Sequence, residues 1–228
     1  MRVPIVMCTW QRIERLPITL ELLTTQSCND FDLFIWNNNS EYVAPIDALV
    51  GSREWPYPIA IHHSSENVGG FGRFFWCKKL VGTSDCSHVI FLDDDQEFSS
   101  ELVSGFLREA APRTISSRWS YRFVRNGSYW NRLRAKEGEE AHYCGTCGMI
   151  MDISLFKDEK FFSECPMRFR LGMEDLWLSF YAQHVLEWRL VASSVKVRTI
   201  ADERDTYLKI RGAKVEFLEY LRNLNWKV

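Results

Sequence analysis

Residues 88–97 read His88-Val89-Ile90-Phe91-Leu92-Asp93-Asp94-Asp95-Gln96-Glu97, and this stretch decides the fold. Four apolar residues lead directly into three aspartates. A short apolar run of this kind predicts a buried strand of a parallel or mixed sheet. Ligands of such sheets bind beyond the carboxyl ends of the strands, so we expect the aspartates at the ligand-binding edge.

The three aspartates suggest a metal site. Asp93, Asp94 and Asp95 repel one another unless a cation lies among them. Oxygen ligands in a short cluster suit Mg²⁺ or Mn²⁺, which commonly bind one or two protein carboxylates together with substrate phosphates. From this stretch alone, a solvated acidic turn at the strand end is an equally good interpretation.

Composition limits the class of protein. The chain has 228 residues, which suits one sizeable domain, and 46% of them are hydrophobic and 14% aromatic. These fractions are ample for a packed core and argue against disorder. The formal net charge of -2 gives no electrostatic reason to expect a nucleic-acid partner.

Cysteine usage and the absence of apolar segments bear on location. The seven cysteines are odd in number and scattered, which indicates a reducing compartment rather than a disulfide framework. Neither a signal peptide nor a run of about 18 apolar residues is present. We therefore expect a soluble cytoplasmic protein without a transmembrane segment, and peripheral membrane contact stays open.

The first half alternates strands and helices. Helices are expected after residues 9–12, from the glycines at 69–72 to Leu80, and after Ser99 or Ser100, which can cap the last of them. In the first of these helices Pro17 is tolerated in the opening turn, and Ile18 belongs to the predicted apolar face. This order through about residue 110 predicts a three-layer α/β domain. The predicted strands are 3–8, 31–36, 59–63 and the apolar run at 89–92.

Two polar segments in this half are candidates for ligand binding. Asn37-Asn38-Asn39-Ser40 offers amides suited to a base or ribose, although asparagines are also typical of turns. In the segment from Glu66 to Gly72, glycines ahead of a helix let backbone amides approach a phosphate. Arg73 either pairs with a diphosphate or is an ordinary surface arginine.

The second half is less regular. Residues 114–119 suggest a strand, and 121–142 suggest a long loop or short hairpin that could act as a lid. A single Cys144-x-x-Cys147 pair is only a weak zinc signal. Residues 143–151 suggest a loop leading into a strand, and 187–192 and 195–199 suggest strands. From Tyr207 the apolar residues lie on one face, which predicts an amphipathic helix over about 205–225: Ile210, Ala213, Phe217, Leu221 and Leu224.

Glu174 and Asp175 follow Gly172-Met173 at the start of another predicted helix. Acidic residues at a helix start interact favourably with the helix dipole, so simple end-capping is one explanation. The functional alternative is a base that is held ionised at the rim of a pocket.

Taken together, these segments resemble the nucleotide-sugar glycosyltransferases of the GT-A fold, specifically glycosyltransferase family 2. Five matches arrive in the order of that family, over most of the chain from Val3 to about Ala192. They are 9–12, 37–40, 66–72, the aspartate triplet and 172–175.

The resemblance implies a donor site. Thr9, Arg12 and Asn38 would line the nucleotide pocket, and Asn37 stands where the family usually has an aspartate. The triplet resembles the family's Asp-x-Asp motif. Asn67, Gly69 and Gly70 would border the nucleotide or sugar, Asp93 and Asp94 would lie near the ribose, and Asp95, with Asp93 as a second carboxylate, would hold Mn²⁺ or Mg²⁺ on the diphosphate.

The resemblance also implies an acceptor site and a base. Residues 145–149 resemble the floor of the acceptor site, and Asp175 resembles the catalytic base of the family's Glu-Asp pair. A later histidine that serves some members as a metal ligand is missing after Val185. The implied reaction moves a monosaccharide from a UDP-, GDP- or dTDP-linked donor to a hydroxyl of a glycan, lipid-linked or other acceptor. A single base candidate favours inversion over a double displacement, and Arg73 would help to neutralise the leaving group.

This interpretation divides one domain into a nucleotide-binding half at about 1–110, an acceptor-binding half at about 111–200 and the closing helix. Two other functions are weaker. A nucleotidyltransferase would carry a glycine- and Arg/Lys-rich segment after the first strand, where this chain has residues 9–15 instead. A non-catalytic nucleotide-sugar-binding module would have no need of a base such as Asp175.

Overall fold

A computed structural model describes residues 2–83, 85–200 and 210–228. No helix within these ranges has the length and apolar character needed to cross a membrane. The helices are α1 (Leu16–Thr24), α2 (Val43–Gly51), α3 (Phe71–Thr83), α4 (Leu102–Glu109), α5 (Glu159–Ser163), α6 (Glu174–Phe180) and α7 (Arg211–Asn223). The strands are β1 (Val3–Thr9), β2 (Phe31–Asn37), β3 (Ile59–His63), β4 (His88–Asp93), β5 (Gln96–Phe98), β6 (Thr114–Ser117), β7 (Ser120–Phe123), β8 (Arg132–Arg134), β9 (Tyr143–Cys144), β10 (Met149–Asp152), β11 (Arg189–Ala192) and β12 (Val197–Thr199).

Seven strands form the central sheet, in the order β11-β6-β10-β4-β1-β2-β3. β1 pairs in parallel with β2 and β4, β2 pairs in parallel with β3, and β6 pairs in parallel with β11. Only β10 runs antiparallel to its neighbours within the described part of this sheet, and it lies between β4 and β6. The mainly parallel sheet predicted from the sequence is confirmed.

The strand that opens the sequence analysis separates two cores. Val89 and Phe91 of β4 pack into one core, together with Phe74 of α3. The alternate residues, Ile90 and Leu92, pack into a second core on the other face, with the apolar residues of α1 and α4. Because both faces of β4 are buried, its sequence is a continuous apolar run instead of an alternating one. The arrangement confirms the predicted three-layer α/β/α architecture.

Two small sheets lie outside the central one. β7, β8 and β9 form an antiparallel three-stranded sheet, so the segment predicted as a loop or hairpin contains a β7–β8 hairpin. Tyr129 in its connection is fully buried. The ring of Tyr129 therefore supports the core instead of offering a free surface. β5 and β12 pair in antiparallel fashion beside the end of β4.

Some local expectations were wrong. Helix α2 was not predicted, although Val43, Ile46 and Val50 have helical spacing, because the pattern spans only nine residues and short apolar patterns are ambiguous. Ile18 was expected on the apolar face of α1 but is 42% exposed. The buried stripe of α1 has helical spacing that leaves Ile18 outside: Leu16, Thr19, Leu20 and Leu23.

The closing helix is shorter than predicted. α7 begins at Arg211, and residues 205–209 of the predicted span lie outside the described residues. Phe217 and Leu221 are buried as expected, whereas Leu224 lies past the last helical residue and is exposed.

Gly72→Ala should destabilise the fold. A Cβ at residue 72 would overlap the indole of Trp36, and that ring is only 6% exposed and has little room to move. We expect the free energy of unfolding in urea to fall by about 1–3 kcal/mol, the usual effect of overpacking a core.

Gly82→Ala is the matched control on the same helix. A Cβ at residue 82 has no atom within 4 Å among the described residues, so the helix propensity of alanine should raise stability by up to about 1 kcal/mol. Equal effects of the two substitutions would contradict the packing argument.

Candidate active site

Polar segments after three strands meet at one edge of the central sheet. In the strand register, Thr9 lies beside Asn37 and Cys8 lies beside Asp93. The carboxyl ends of β1, β2 and β4 are therefore neighbours, as expected for parallel strands that share a binding edge. The hydroxyl of Thr9 donates to Asp94 Oδ2 at 3.1 Å, which joins the first segment to the aspartates.

Asp94 is the most deeply buried of the three aspartates. Burial raises the pKa of its carboxyl to about 6, the charge of Asp93 acts in the same direction, and Arg12 and Thr9 oppose both effects. The Nη1 atom of Arg12 lies 3.5 Å from Asp94 Oδ1 and 3.8 Å from Asp95 Oδ2. Arg12 thus brings positive charge to the aspartates from the segment after β1.

Asp93 forms an ion pair with Arg73, whose Nη2 lies 2.6 Å from Asp93 Oδ1. Arg73 is 3% exposed, so the alternative of an ordinary surface arginine is wrong. Its Nε donates to the carbonyl of Gly70 at 3.1 Å and its Nη1 to the carbonyl of Thr146 at 3.4 Å. The backbone N–H of Asp93 donates to Gln96 Oε1 at 2.8 Å, which fixes the turn after β4.

Asp95 differs from its two neighbours. Its Oδ1 atom is buried and has no hydrogen-bond partner among the described residues. Burial and then the charges of Asp93 and Asp94 raise the pKa of Asp95 to about 7. An orphaned carboxylate oxygen in an acidic cluster fits a hard divalent cation. No cluster of three or more His, Cys, Asp or Glu side chains suited to a metal occurs in the described ranges.

The predicted asparagines bind backbone and neighbouring side chains. Asn38 donates to Gly69 O at 3.0 Å and accepts from Val68 N at 3.0 Å. Asn67 Oδ1 accepts from Gly69 N at 2.8 Å, and Asn37 Nδ2 lies 3.1 Å from His63 Nδ1. The amides of Asn38 and Asn67 therefore hold the glycine segment in place at the edge of the sheet.

The glycine segment packs against the segment that carries the acidic pair. Gly69 has a φ of +60°, the left-handed region that favours glycine, and a Cβ there would lie 2.9 Å from Leu171 Cδ1. A Cβ at Gly70 would overlap the carboxyl group of Glu174. Because both glycines lack a Cβ, two segments that are distant in sequence come into direct contact.

Asp175 is held by three other groups. The hydroxyl of Tyr143 donates to its Oδ2, the backbone N–H of Leu176 donates to its Oδ1 at 2.8 Å, and Lys214 Nζ lies 3.4 Å from both oxygens. Its side chain remains 15% exposed. Simple end-capping does not describe this carboxylate, since two of its contacts come from β9 and α7.

Glu174 lies next to Asp175 in the sequence. Its Oε2 atom is buried and has no partner among the described residues. Burial and then the charge of Asp175 raise the pKa of Glu174 to about 7, while Arg73 acts in the opposite direction. Arg73, Gly70 and Glu174 thus connect the aspartate triplet to Asp175.

Two residues that contact Asp175, namely Tyr143 and Lys214, were not predicted as site residues. Cys147 belongs to the predicted segment 145–149, and its thiol has a pKa raised by burial and by the charges of nearby aspartates. A signal for Lys214 was present in the sequence, because it lies three, four and seven residues before the apolar residues of the buried α7 stripe: Phe217, Leu218 and Leu221.

Glu174→Gln should remove a pH-dependent loss of stability. A carboxyl whose pKa rises on folding contributes stability that is complete below its ordinary value of 4.5 and is lost as the pH rises through about 7. Between about pH 5 and about pH 8.5 the wild type should therefore lose more unfolding free energy than the variant, by on the order of 1–3 kcal/mol.

Urea denaturation at both pH values measures this difference, and Glu137→Gln at an exposed position controls for the change in net charge. An identical pH response of the wild type and Glu174→Gln would show that Glu174 does not carry the effect.

Comparison with solved structures identifies the fold. The mannosyltransferase PcManGT of Pyrobaculum calidifontis, solved with GDP-Man and Mn²⁺, matches with a TM-score of 0.67 at 12% identity, over 97% of this chain and 64% of that one. TarS 1-349 of S. aureus, solved with UDP-GlcNAc, matches with a TM-score of 0.61 at 17% identity, over 90% of this chain and 60% of that one. The expected GT-A fold is confirmed, and this chain spans less than two thirds of either solved protein.

The sequence comparisons define the family. A search of curated proteins finds no match. The model of glycosyl transferase family 2 matches residues 5–170, which is more than half of the chain and ends before Glu174 and Asp175. The family model therefore does not bear on the acidic pair or on α7. The resemblance seen in the sequence is confirmed, and the protein belongs to glycosyl transferase family 2.

Proposed function

We propose that this protein is a metal-dependent, inverting glycosyltransferase. It transfers a monosaccharide from a nucleoside-diphosphate sugar to a hydroxyl of a glycan, lipid-linked or other acceptor. One observation carries the proposal: an orphaned carboxylate oxygen on Asp95 and a held, partly exposed carboxylate on Asp175 belong to one connected site. The connection runs through Arg73, Gly70 and Glu174.

The donor binds in the half formed by residues of about 1–110. Thr9 and Arg12 act there through their contacts with Asp94, and Asn38 and Asn67 act by holding the glycine segment. Asn37, Gly69, Gly70, Asp93 and Asp94 border the same edge. The structural neighbours support a nucleotide-sugar donor, since they were solved with UDP, UDP-GlcNAc and GDP-Man.

A divalent cation, Mn²⁺ or Mg²⁺, is held by Asp95, with Asp93 as a second carboxylate near it. When bound, this cation neutralises negative charge that develops on the leaving diphosphate. The Mn²⁺ in the PcManGT complex supports this cofactor. Arg73 contributes indirectly, because its ion pair fixes the carboxylate of Asp93.

Asp175 is the base. As the acceptor hydroxyl attacks the anomeric carbon, its proton passes to the Asp175 carboxylate, a new carbon–oxygen bond forms, and the bond to the diphosphate breaks. The electron pair of the broken bond leaves with the nucleoside diphosphate. One displacement without a covalent enzyme intermediate inverts the anomeric configuration.

The acceptor binds in the half formed by residues of about 111–200, over the loop at 145–149. The base and this loop lie on the same side, because Tyr143 immediately before the loop contacts Asp175. The cytoplasmic location and the peripheral membrane contact stay predictions.

Calorimetric titration with UDP-, GDP- and dTDP-linked sugars, with Mn²⁺ and with EDTA, tests the donor assignment. Binding of one donor only in the presence of Mn²⁺ would support the proposal and narrow the base and sugar. A folded protein that binds none of these donors would contradict it.

Asp95→Ala and Asp175→Asn should separate donor binding from transfer. Asp95→Ala removes the orphaned metal ligand and should abolish the Mn²⁺-dependent part of donor binding. Asp175→Asn keeps the size of the side chain but cannot accept the proton, so donor binding should persist while transfer falls by about 10²–10⁴-fold.

Calorimetry and a coupled assay for released nucleoside diphosphate measure the two effects. Asp30→Asn is the matched control, since Asp30 is exposed and its carbonyl accepts from Val3 N at the opposite end of β1. Equal loss of donor binding in both site variants would refute this division of roles.

A further inference from the structure

Lys214 is a buried cation that contacts the proposed base. It is 2% exposed, and its Nζ lies 3.4 Å from both oxygens of Asp175. Removing an ammonium group from water is unfavourable by several kcal/mol unless a partner of opposite charge compensates. A lysine in this environment is therefore a specific feature of the site and not a surface charge that packing has covered by chance.

The helix that carries Lys214 is anchored on several sides. The ring of Phe217 stacks on Phe169 with 4.3 Å between centroids, and Trp226 contacts the ring of Phe180 edge-on. Arg222 Nη1 donates to the carbonyl of Gly127 at 2.7 Å. These contacts fix the backbone on which the lysine is placed, so its ammonium group has a defined position.

The charged and titratable groups around Asp175 differ in sign. Glu174 on the same helix carries a like charge. The thiol of Cys147 lies close enough to interact electrostatically with the Asp175 carboxylate. Tyr143 from β9 donates a neutral hydrogen bond. The ion pair from α7 opposes the charge of Glu174. Arg132 lies near Tyr143, with its guanidinium 5.5 Å from the centroid of the Tyr143 ring.

We infer that Lys214 is a positioning residue of the proposed transfer reaction, which holds the Asp175 carboxylate in place through a buried ion pair. The inference rests on the proposed function. The Asp175 side chain remains 15% exposed, which leaves it accessible to an acceptor hydroxyl. Lys214 itself is not expected to touch the substrate.

The ion pair constrains the position of the base. Lys214 contacts both oxygens of the Asp175 carboxylate, so loss of the ammonium group should leave this carboxylate free to rotate away from its position.

Lys214→Met, Lys214→Gln and Lys214→Arg test the inference. We expect the Met and Gln variants to lower kcat by about 10–100-fold while the donor Kd changes less than about twofold, because the lysine acts on the base alone. This loss of kcat should be present over the whole pH range in which the variants stay folded. Lys214→Arg should restore part of kcat, because it returns a cation to the same position.

Lys78→Met is the matched control. Lys78 also forms an ion pair, with Nζ 2.5 Å from Glu159 Oε2, but both side chains are exposed and lie outside the candidate site. This variant should keep the kcat of the wild type. If Lys214→Met does not fold, the comparison of Gln with Arg gives the same answer, because Gln keeps a polar side chain but removes the positive charge that Arg retains.

A double-mutant cycle of Lys214→Met and Asp175→Asn gives a readout that does not need activity. If the two side chains interact, the double variant should be less destabilised than the sum of the two single effects predicts. We expect the predicted and measured unfolding equilibrium constants to differ by about tenfold.

The outcomes separate the two proposals. Wild-type transfer together with unchanged kcat in Lys214→Met would overturn the role of Lys214 and leave the proposed function standing. Additive effects in the cycle would also overturn it. Absence of transfer by the wild type with every donor of the panel would overturn both proposals.

Discussion

The ion pair between Arg73 and Asp93 is the contact on which the candidate site depends. The buried guanidinium joins the end of β4, the carbonyl of Gly70 at the start of α3 and the carbonyl of Thr146 before β10. A buried arginine must have its donors matched, so the positions of these three segments are mutually constrained. Beside Asp93, which is held in this way, Asp95 has a buried carboxylate oxygen without a partner among the described residues.

Negative charge is concentrated at this edge beyond what a stable fold requires. The pKa values of Asp94, Asp95 and Glu174 are all raised, mainly by burial. Such groups lower the stability of the folded state at neutral pH, and sites that favour ligands over stability are typical of functional regions. The compensating cations come from distant parts of the chain, namely Arg12 after β1 and Lys214 on α7.

Much of the fold could be predicted, because buried parallel strands are continuous apolar runs and their carboxyl ends share one edge. Helix α2 was missed because its apolar pattern spans only nine residues, and short patterns are ambiguous. The three aspartates were predicted from their position after a strand, and Glu174 and Asp175 from the start of a helix and from the family resemblance. Their partners were not, since Tyr143 and Lys214 are 32 and 39 residues away from Asp175. A polar residue at a position of an apolar helix stripe can be recognised in the sequence. The group that it contacts depends on tertiary packing and cannot.

The antiparallel strand β10 has a consequence for how this protein can diversify. Because β10 runs opposite to β4, it begins at the edge where β4 ends, and residues 143–148 enter the candidate site directly from the small sheet of β7, β8 and β9. The parallel strands that carry the aspartates keep their register whatever the length of the 124–131 connection in that small sheet. Insertions or deletions in that connection can therefore alter the side of the candidate site that residues 143–148 form, while the aspartates keep the positions that the parallel strands give them.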